Sequence, residues 1–227
     1  PALFVWLWST GFIGAKYGLP FAEPFTLLLI RMLFTLVLLS VLAWIMKTRW
    51  PGWRGAGHLA VTGLLVHGCY LGGVYYAIQG GMPSGIVSLI VGLQPLVTWT
   101  LLWAALSLGG ISLGTVYQKR NGTQSDLVAG TFIQYSAAAT FFAVGAFAFE
   151  TREVVWAQPL IWSMVWLVFG VSIGAILLLM WLIRRGAASQ VASLFYLVPP
   201  VTALEAYWLF DERLGVLAMI GGVISIT

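Results

Sequence analysis

The chain has 227 residues, of which 60% are hydrophobic and only 8% charged, with a mean hydropathy of +0.96. A soluble domain carries about 25% charged residues, and its surface must be largely polar, so a soluble fold of this size is excluded. The net charge of +4 does not imply nucleic acid, because the eleven Lys and Arg sit mostly between apolar runs, and the one cysteine, Cys69, excludes a disulfide framework or a cysteine-rich metal site.

A membrane-spanning helix needs roughly 20 apolar residues. The first run, Ala2–Ala15, has no basic stretch before it and does not read as a cleavable signal. The run Phe25–Met46 leads into Lys47, Arg49 and Arg54, the strongest basic loop. His58–Ile78 follows and ends at the turn Gly80-Gly-Met-Pro83. Ser84–Tyr117 is uncharged for 34 residues, about 51 Å of helix against a hydrocarbon core of about 30 Å. Leu127–Phe149, Leu160–Ile183, Ala187–Phe210 and Leu214–Thr227 complete the series. The first and last runs are short, as truncated spans would be. Basic residues resist translocation, so Lys47–Arg54, Lys119-Arg120 and Arg184-Arg185 are expected in the cytoplasm together with the N-terminus. All three agree only if Ser84–Tyr117 is one overlong span or if a span is missing there.

Internal repetition favours the missing span. Gly81-Met-Pro-Ser-Gly-Ile-Val-Ser88 with Pro95 aligns with Gly186-Ala-Ala-Ser-Gln-Val-Ala-Ser193 with Pro200 at an offset of 105, and Trp103 matches Trp208. Ser9-Thr-Gly11 with Lys16 aligns with Ser112-Leu-Gly114 with Lys119 at an offset of 103. The halves are therefore 1–104 and 105–227. The second half continues past Trp208 through Asp211-Glu-Arg213 into a fifth apolar run, which the first half lacks. The fold expected is an all-α polytopic helical bundle of two inverted five-helix repeats, with one of ten spans missing near Ala105. A chain break or absent helix is expected between Trp103 and Leu108.

Six segments carry a family resemblance: Trp8-Ser-Thr-Gly-Phe-Ile-Gly-Ala-Lys-Tyr-Gly-Leu-Pro20, Gly92-Leu-Gln-Pro-Leu96, Gly114-Thr-Val-Tyr-Gln-Lys-Arg120, Arg185-Gly186, Ser193-Leu-Phe-Tyr-Leu-Val-Pro-Pro200 and Asp211-Glu-Arg213. In order and spacing the chain resembles the EamA-type branch of the drug/metabolite transporter superfamily. That resemblance implies two inverted EamA repeats and export of small metabolites across a bacterial inner membrane. The first repeat departs from the pattern in lacking the Glu-Arg hinge and fifth helix.

The sequence contains no catalytic constellation and implies no cofactor. His58 and His67 are nine residues apart with no carboxylate or cysteine at ligand spacing, so no metal site is assigned. Symmetric prolines inside spans point to a carrier's binding site, because the freed carbonyls must find a partner or face a cavity. Ser88 and Pro95 with Gln94, and Ser193, Tyr196 and Pro200, form polar stripes at helical spacing. Trp8, Ser9, Tyr70, Ser112 and Tyr135 are expected to line the same cavity. Aromatic walls with hydroxyls and amides suit an amino acid or a similar amphipathic solute, although Ser and Gly equally serve close helix packing. Arg31 and Glu205 are ionisable residues within spans, where a charge costs roughly 3 kcal/mol. Both are candidates for ion coupling and both are expected to face protein. Lys16 reads as a border anchor. The partners implied are the bilayer and a small solute, with a homo-oligomer left open, and the alternative function is a non-transporting membrane subunit or scaffold.

Overall fold

The computed structural model describes residues 2–84, 86–87, 99–121, 126–175, 178 and 197–212. They form seven helices: α1 (Ala2–Gly18), α2 (Pro24–Ile45), α3 (Trp53–Gln79), α4 (Trp99–Asn121), α5 (Leu127–Phe149), α6 (Gln158–Ala175) and α7 (Val198–Phe210). α3 is π-helical over Leu64–Cys69, and α6 over Trp166–Ala175. Among the described residues there is no strand beyond one isolated bridge, Ala22 with Val154. Four helices, α2, α3, α5 and α6, are long and apolar enough to cross a membrane. The fold is a helical membrane bundle, as the composition requires: in lipid each backbone N–H and C=O must be satisfied within its own segment.

Local signals place the helix starts. Pro24 and Pro159 stand in the first turns of α2 and α6, where a missing N–H costs nothing. Asp126 caps α5 by accepting from the Val128 N–H at 2.9 Å. α3 stops in a turn whose Gly81 has φ of +88°, a left-handed conformation that favours glycine.

No break occurs between Trp103 and Leu108. α4 is one continuous helix of 23 residues through that point, about 35 Å long. Gly109 and Gly110 do not interrupt it. A Cβ at Gly110 would lie 2.7 Å from the Leu65 carbonyl oxygen, so that glycine serves close packing on α3 instead of a turn. Residues 88–98, upstream of α4, lie outside the described residues.

The chain forms two compact units, Pro1–Pro20, Val74–Ala105 and Trp156–Thr227 in the first, Phe21–Gly73 and Leu106–Val155 in the second. Each draws helices from both sequence halves. Within α4 the division between the units falls after Ala105.

In the second unit α2 and α5 pack antiparallel. Phe25 meets Phe141 edge-on at 5.9 Å and Phe142 at 6.0 Å, and Gly145 makes room for its ring. The buried carboxylate of Glu150, at the end of α5, sits on the start of α2. It accepts from the Phe25 N–H, the Thr26 N–H and the Thr26 hydroxyl, each at 2.7 Å. Glu23 reciprocates: its Oε2 accepts from the Thr151 N–H at 2.7 Å, the Thr151 hydroxyl at 2.8 Å and the Arg152 N–H at 3.1 Å. α4 lies antiparallel to α3. Its Ser107 hydroxyl donates to the Tyr70 carbonyl at 2.9 Å, and Tyr117, near its end, is 2.7 Å from His58, near the start of α3. At that same end Trp50 packs edge-on against Phe132. The end of α4 and the start of α5 therefore share one end of this unit with the basic Lys47–Arg54 loop.

In the first unit α1 packs on α6 and α7. The Ser163 hydroxyl donates to the Gly14 carbonyl at 2.7 Å, and the Trp166 indole N–H to the Thr10 hydroxyl at 2.9 Å. Trp6 and Trp166 meet edge-on at 5.4 Å.

Candidate functional site

The polar contacts of the first unit lie along the seam of α1 and α7. The Ser9 hydroxyl donates to Glu205 Oε1 at 2.9 Å and is also 2.9 Å from the Trp6 carbonyl. Two turns further, Lys16 forms an ion pair with Glu212. Both pairs are separated by 196 positions in sequence, so α1 and α7 run parallel and in register. Glu212 lies just past the end of α7, after the left-handed Asp211. Glu205 stands five residues before Phe210, the last residue of α7, about 7.5 Å inside the end of that helix.

These two carboxylates differ in their partners. Glu212 accepts from Lys16, from the Ser84 N–H at 3.2 Å and from the Ser84 hydroxyl at 3.1 Å. Burial pushes its carboxyl up, but the bonds from Lys16 and Ser84 and the Lys16 charge outweigh that and hold it below the usual carboxylate range. Lys16 also lies 4.2 Å from the centre of the Phe210 ring. It is thus an ion-pair partner and not merely a border anchor. Among the described residues Glu205 has only the Ser9 hydroxyl. Its Oε2 is buried and has no hydrogen-bond partner among the described residues. A charged carboxylate so placed is costly unless it gains a proton or a counter-charge.

Ser9 and Glu205, singled out separately in the sequence, are brought into contact. Trp8 is half-buried on the same helix, 5.5 Å from Phe4. Pro200 sits in the first turn of α7, which begins at Val198. A proline there removes no hydrogen bond within α7, and residues 179–196, upstream of it, lie outside the described residues. Ser88, Gln94, Pro95, Ser193 and Tyr196 lie outside the described residues.

The second unit holds the others. Arg31 is 4% exposed, so α2 buries its charge while Leu33, Phe34 and Val37 face outward. Arg31 acts electrostatically on His67, which is hydrogen-bonded to Gln134. His67 stacks edge-on against the buried Tyr135 at 4.5 Å. Tyr70 is buried next to the π-helical segment of α3, and Ser112 is exposed on α4. Among the described residues no three His, Cys, Asp or Glu side chains gather as metal ligands.

The sequence reading missed two features. The Lys16–Glu212 pair was legible as a spacing of seven repeated at Ser9/Lys16 and Glu205/Glu212. The Glu23–Glu150 clasp carries no such signal, because it joins residues 127 positions apart through backbone donors.

Comparison with known proteins decides the family. The EamA-like transporter family matches residues 2–110 and again residues 98–227. The chain belongs to the EamA-like transporter family. It is similar to the "Uncharacterized transporter YvbV" of Bacillus subtilis (strain 168), 24% identical over 274 positions that cover 99% of this chain and 87% of that protein. No solved structure matches it. As an EamA protein it is a multi-pass membrane transporter. The two EamA matches overlap on residues 98–110, within α4, so the end of one copy and the beginning of the other share a helix. The alignment to the Bacillus relative is 274 positions long against 227 residues here, so at least 47 positions have no counterpart in this chain.

Proposed function

We propose that this protein is a secondary transporter that exports a small organic solute, an amino acid or a related amphipathic metabolite, by alternating access. It would do so across a bacterial cytoplasmic membrane, with its N-terminus in the cytoplasm. The observation that carries the reading is Glu205, a carboxylate inside a span that, among the described residues, has one hydroxyl donor and one unpartnered, buried oxygen. Such a group in a carrier can take and release a proton as the site opens to each side in turn. It drives transport when the two states hold the proton with different affinity. Ser9 orients it, and Arg31, buried within α2, is the second candidate for ion coupling.

The test is uptake of a labelled amino-acid panel into proteoliposomes, with and without a pH gradient. The wild type should respond to the gradient, and Glu205→Gln should lose that response while remaining folded. Full gradient-driven transport by Glu205→Gln would remove Glu205 as the coupling group. A second reading, a non-transporting scaffold, is favoured by one observation: at least 47 aligned positions of the Bacillus relative are absent here. It predicts no uptake of any solute and full dependence of a partner protein on this chain.

A further inference from the structure

Two of the membrane-spanning helices carry π-helical segments, and these occupy equivalent places in the two halves. The offset of 103 that aligns Ser9-Thr-Gly11 with Ser112-Leu-Gly114 carries residues 64–69 onto 167–172, inside Trp166–Ala175. In α3 the Tyr70 N–H reaches the Leu65 carbonyl, five residues back, the hydrogen bond that defines this helix type. A π-helical turn holds one residue more than the α-helix that would replace it, and such turns are rare and cluster at functional sites.

Each segment faces glycine. In the first unit, Gly11 of α1 lies opposite Val171 and Gly14 opposite Leu167; a Cβ would stand 3.4 Å from Val171 Cγ1 and 2.8 Å from Leu167 Cδ2. In the second unit, Gly114 of α4 lies opposite Val66 and Leu65, where a Cβ would stand 2.5 Å from Val66 Cγ2, and Gly110 lies opposite Leu65 and Cys69. Gly11 and Gly114 are equivalent in the repeat. In both units, then, the opening helix of one half presents a glycine face to the π-helical segment of the other.

We propose that these two segments are the joints of the transport cycle, in which the extra residue of each moves along its span while the glycine face opposite gives it room. This rests on the transport reading above. The physical reason is conservation of hydrogen bonds. Each step exchanges one bond to the fifth residue back for one to the fourth, so no backbone N–H or C=O is stranded in lipid. Side chains that pass a register change rotate about the helix axis without the helix breaking. Opposite a glycine they meet a flat backbone instead of interlocking Cβ atoms, which would hold one packing fixed.

Two measurements test this in a Cys69→Ala background. The first pairs Gly11→Cys with Val171→Cys. Oxidative cross-linking, verified by mass spectrometry, should lower uptake of the labelled amino-acid panel by about ten-fold or more below that of the same variant kept reduced. Cross-linked protein that transports at the uncrosslinked rate would overturn the proposal. If that pair does not fold, deletion of Phe169 serves instead: this residue is exposed, and its loss lets the π-helical segment close to an α-helix. The deletion should cause a similar loss of transport, and a wild-type rate would count against the joints. The second measurement needs no transport. Amides of residues 64–69 and 166–175 should exchange hydrogen about ten-fold faster than the flanking turns of α3 and α6. Equal protection across each span would refute the joints. A wild type that moves no solute sinks the transport reading alone, and hydrogen exchange then still decides this one.

Discussion

Replacing Glu150 with alanine removes the carboxylate that closes the second unit at one end. At least three hydrogen bonds go, each at 2.7 Å, from the Phe25 N–H, the Thr26 N–H and the Thr26 hydroxyl. Bonds to a charged acceptor contribute about 1.5–3 kcal/mol each, and a buried donor left bare costs about 1–3 kcal/mol. These terms overlap, and water can reach part of the exposed helix start, so the expected loss is about 3–5 kcal/mol. Glu150→Gln keeps one acceptor but turns an amide N–H₂ toward a backbone donor, and should cost about 2 kcal/mol. Glu23→Ala is the internal control. It also removes three bonds, but these lie at the exposed surface, so about 1 kcal/mol or less is expected. The assay is reversible unfolding in mixed micelles or by steric trapping, with tryptophan fluorescence as the signal. If Glu150→Ala destabilises no more than Glu23→Ala, the carboxylate does not hold α2 to α5 and the reasoning fails.

Gly63→Ala should destabilise by about 1–3 kcal/mol or more, because its Cβ would sit 2.3 Å from the Gln134 carbonyl oxygen, a backbone atom that can yield only if α3 and α5 separate. Gly57→Ala, on the same helix with nothing within 4 Å, should stabilise by about 0.5–1 kcal/mol, and equal melting shifts for the two variants would contradict both. The Glu212 carboxyl is held below its usual range, so its stabilising contribution is present above the unfolded carboxylate value of about 4.3 and is lost as pH falls through the lower folded value. Acid titration of melting should therefore fall more steeply for the wild type than for Glu212→Gln in that window, and parallel curves would count against the Lys16–Glu212 pair. Single cysteines at Thr48, Thr123 and Gly186, in a chain with Cys69 replaced, should react with impermeant reagent from the cytoplasmic side only. Labelling of one site from outside would break the topology.

Much of this protein is written in one dimension. Each apolar run is long enough to fix a helix, because a backbone in lipid has no other way to satisfy itself, and the repeats at Ser9/Ser112 and Pro95/Pro200 announce two EamA copies before any fold is known. Glu205 was visible as a charge out of place. What the sequence could not reveal is who meets whom. Helices that are apolar on all sides carry no moment to say which face packs. The pairing of Ser9 with Glu205, the swap of α1 and α4 onto spans of the opposite halves, and the continuity of α4 through the seam at Ala105 were all invisible in the sequence. The π-helical turns of α3 and α6 were equally hidden, since their residues are as apolar as their neighbours. A run of hydrophobic residues determines that the chain crosses the bilayer. Which residues then share a buried hydrogen bond depends on shape, on where glycines let backbones approach, and only the folded molecule decides that.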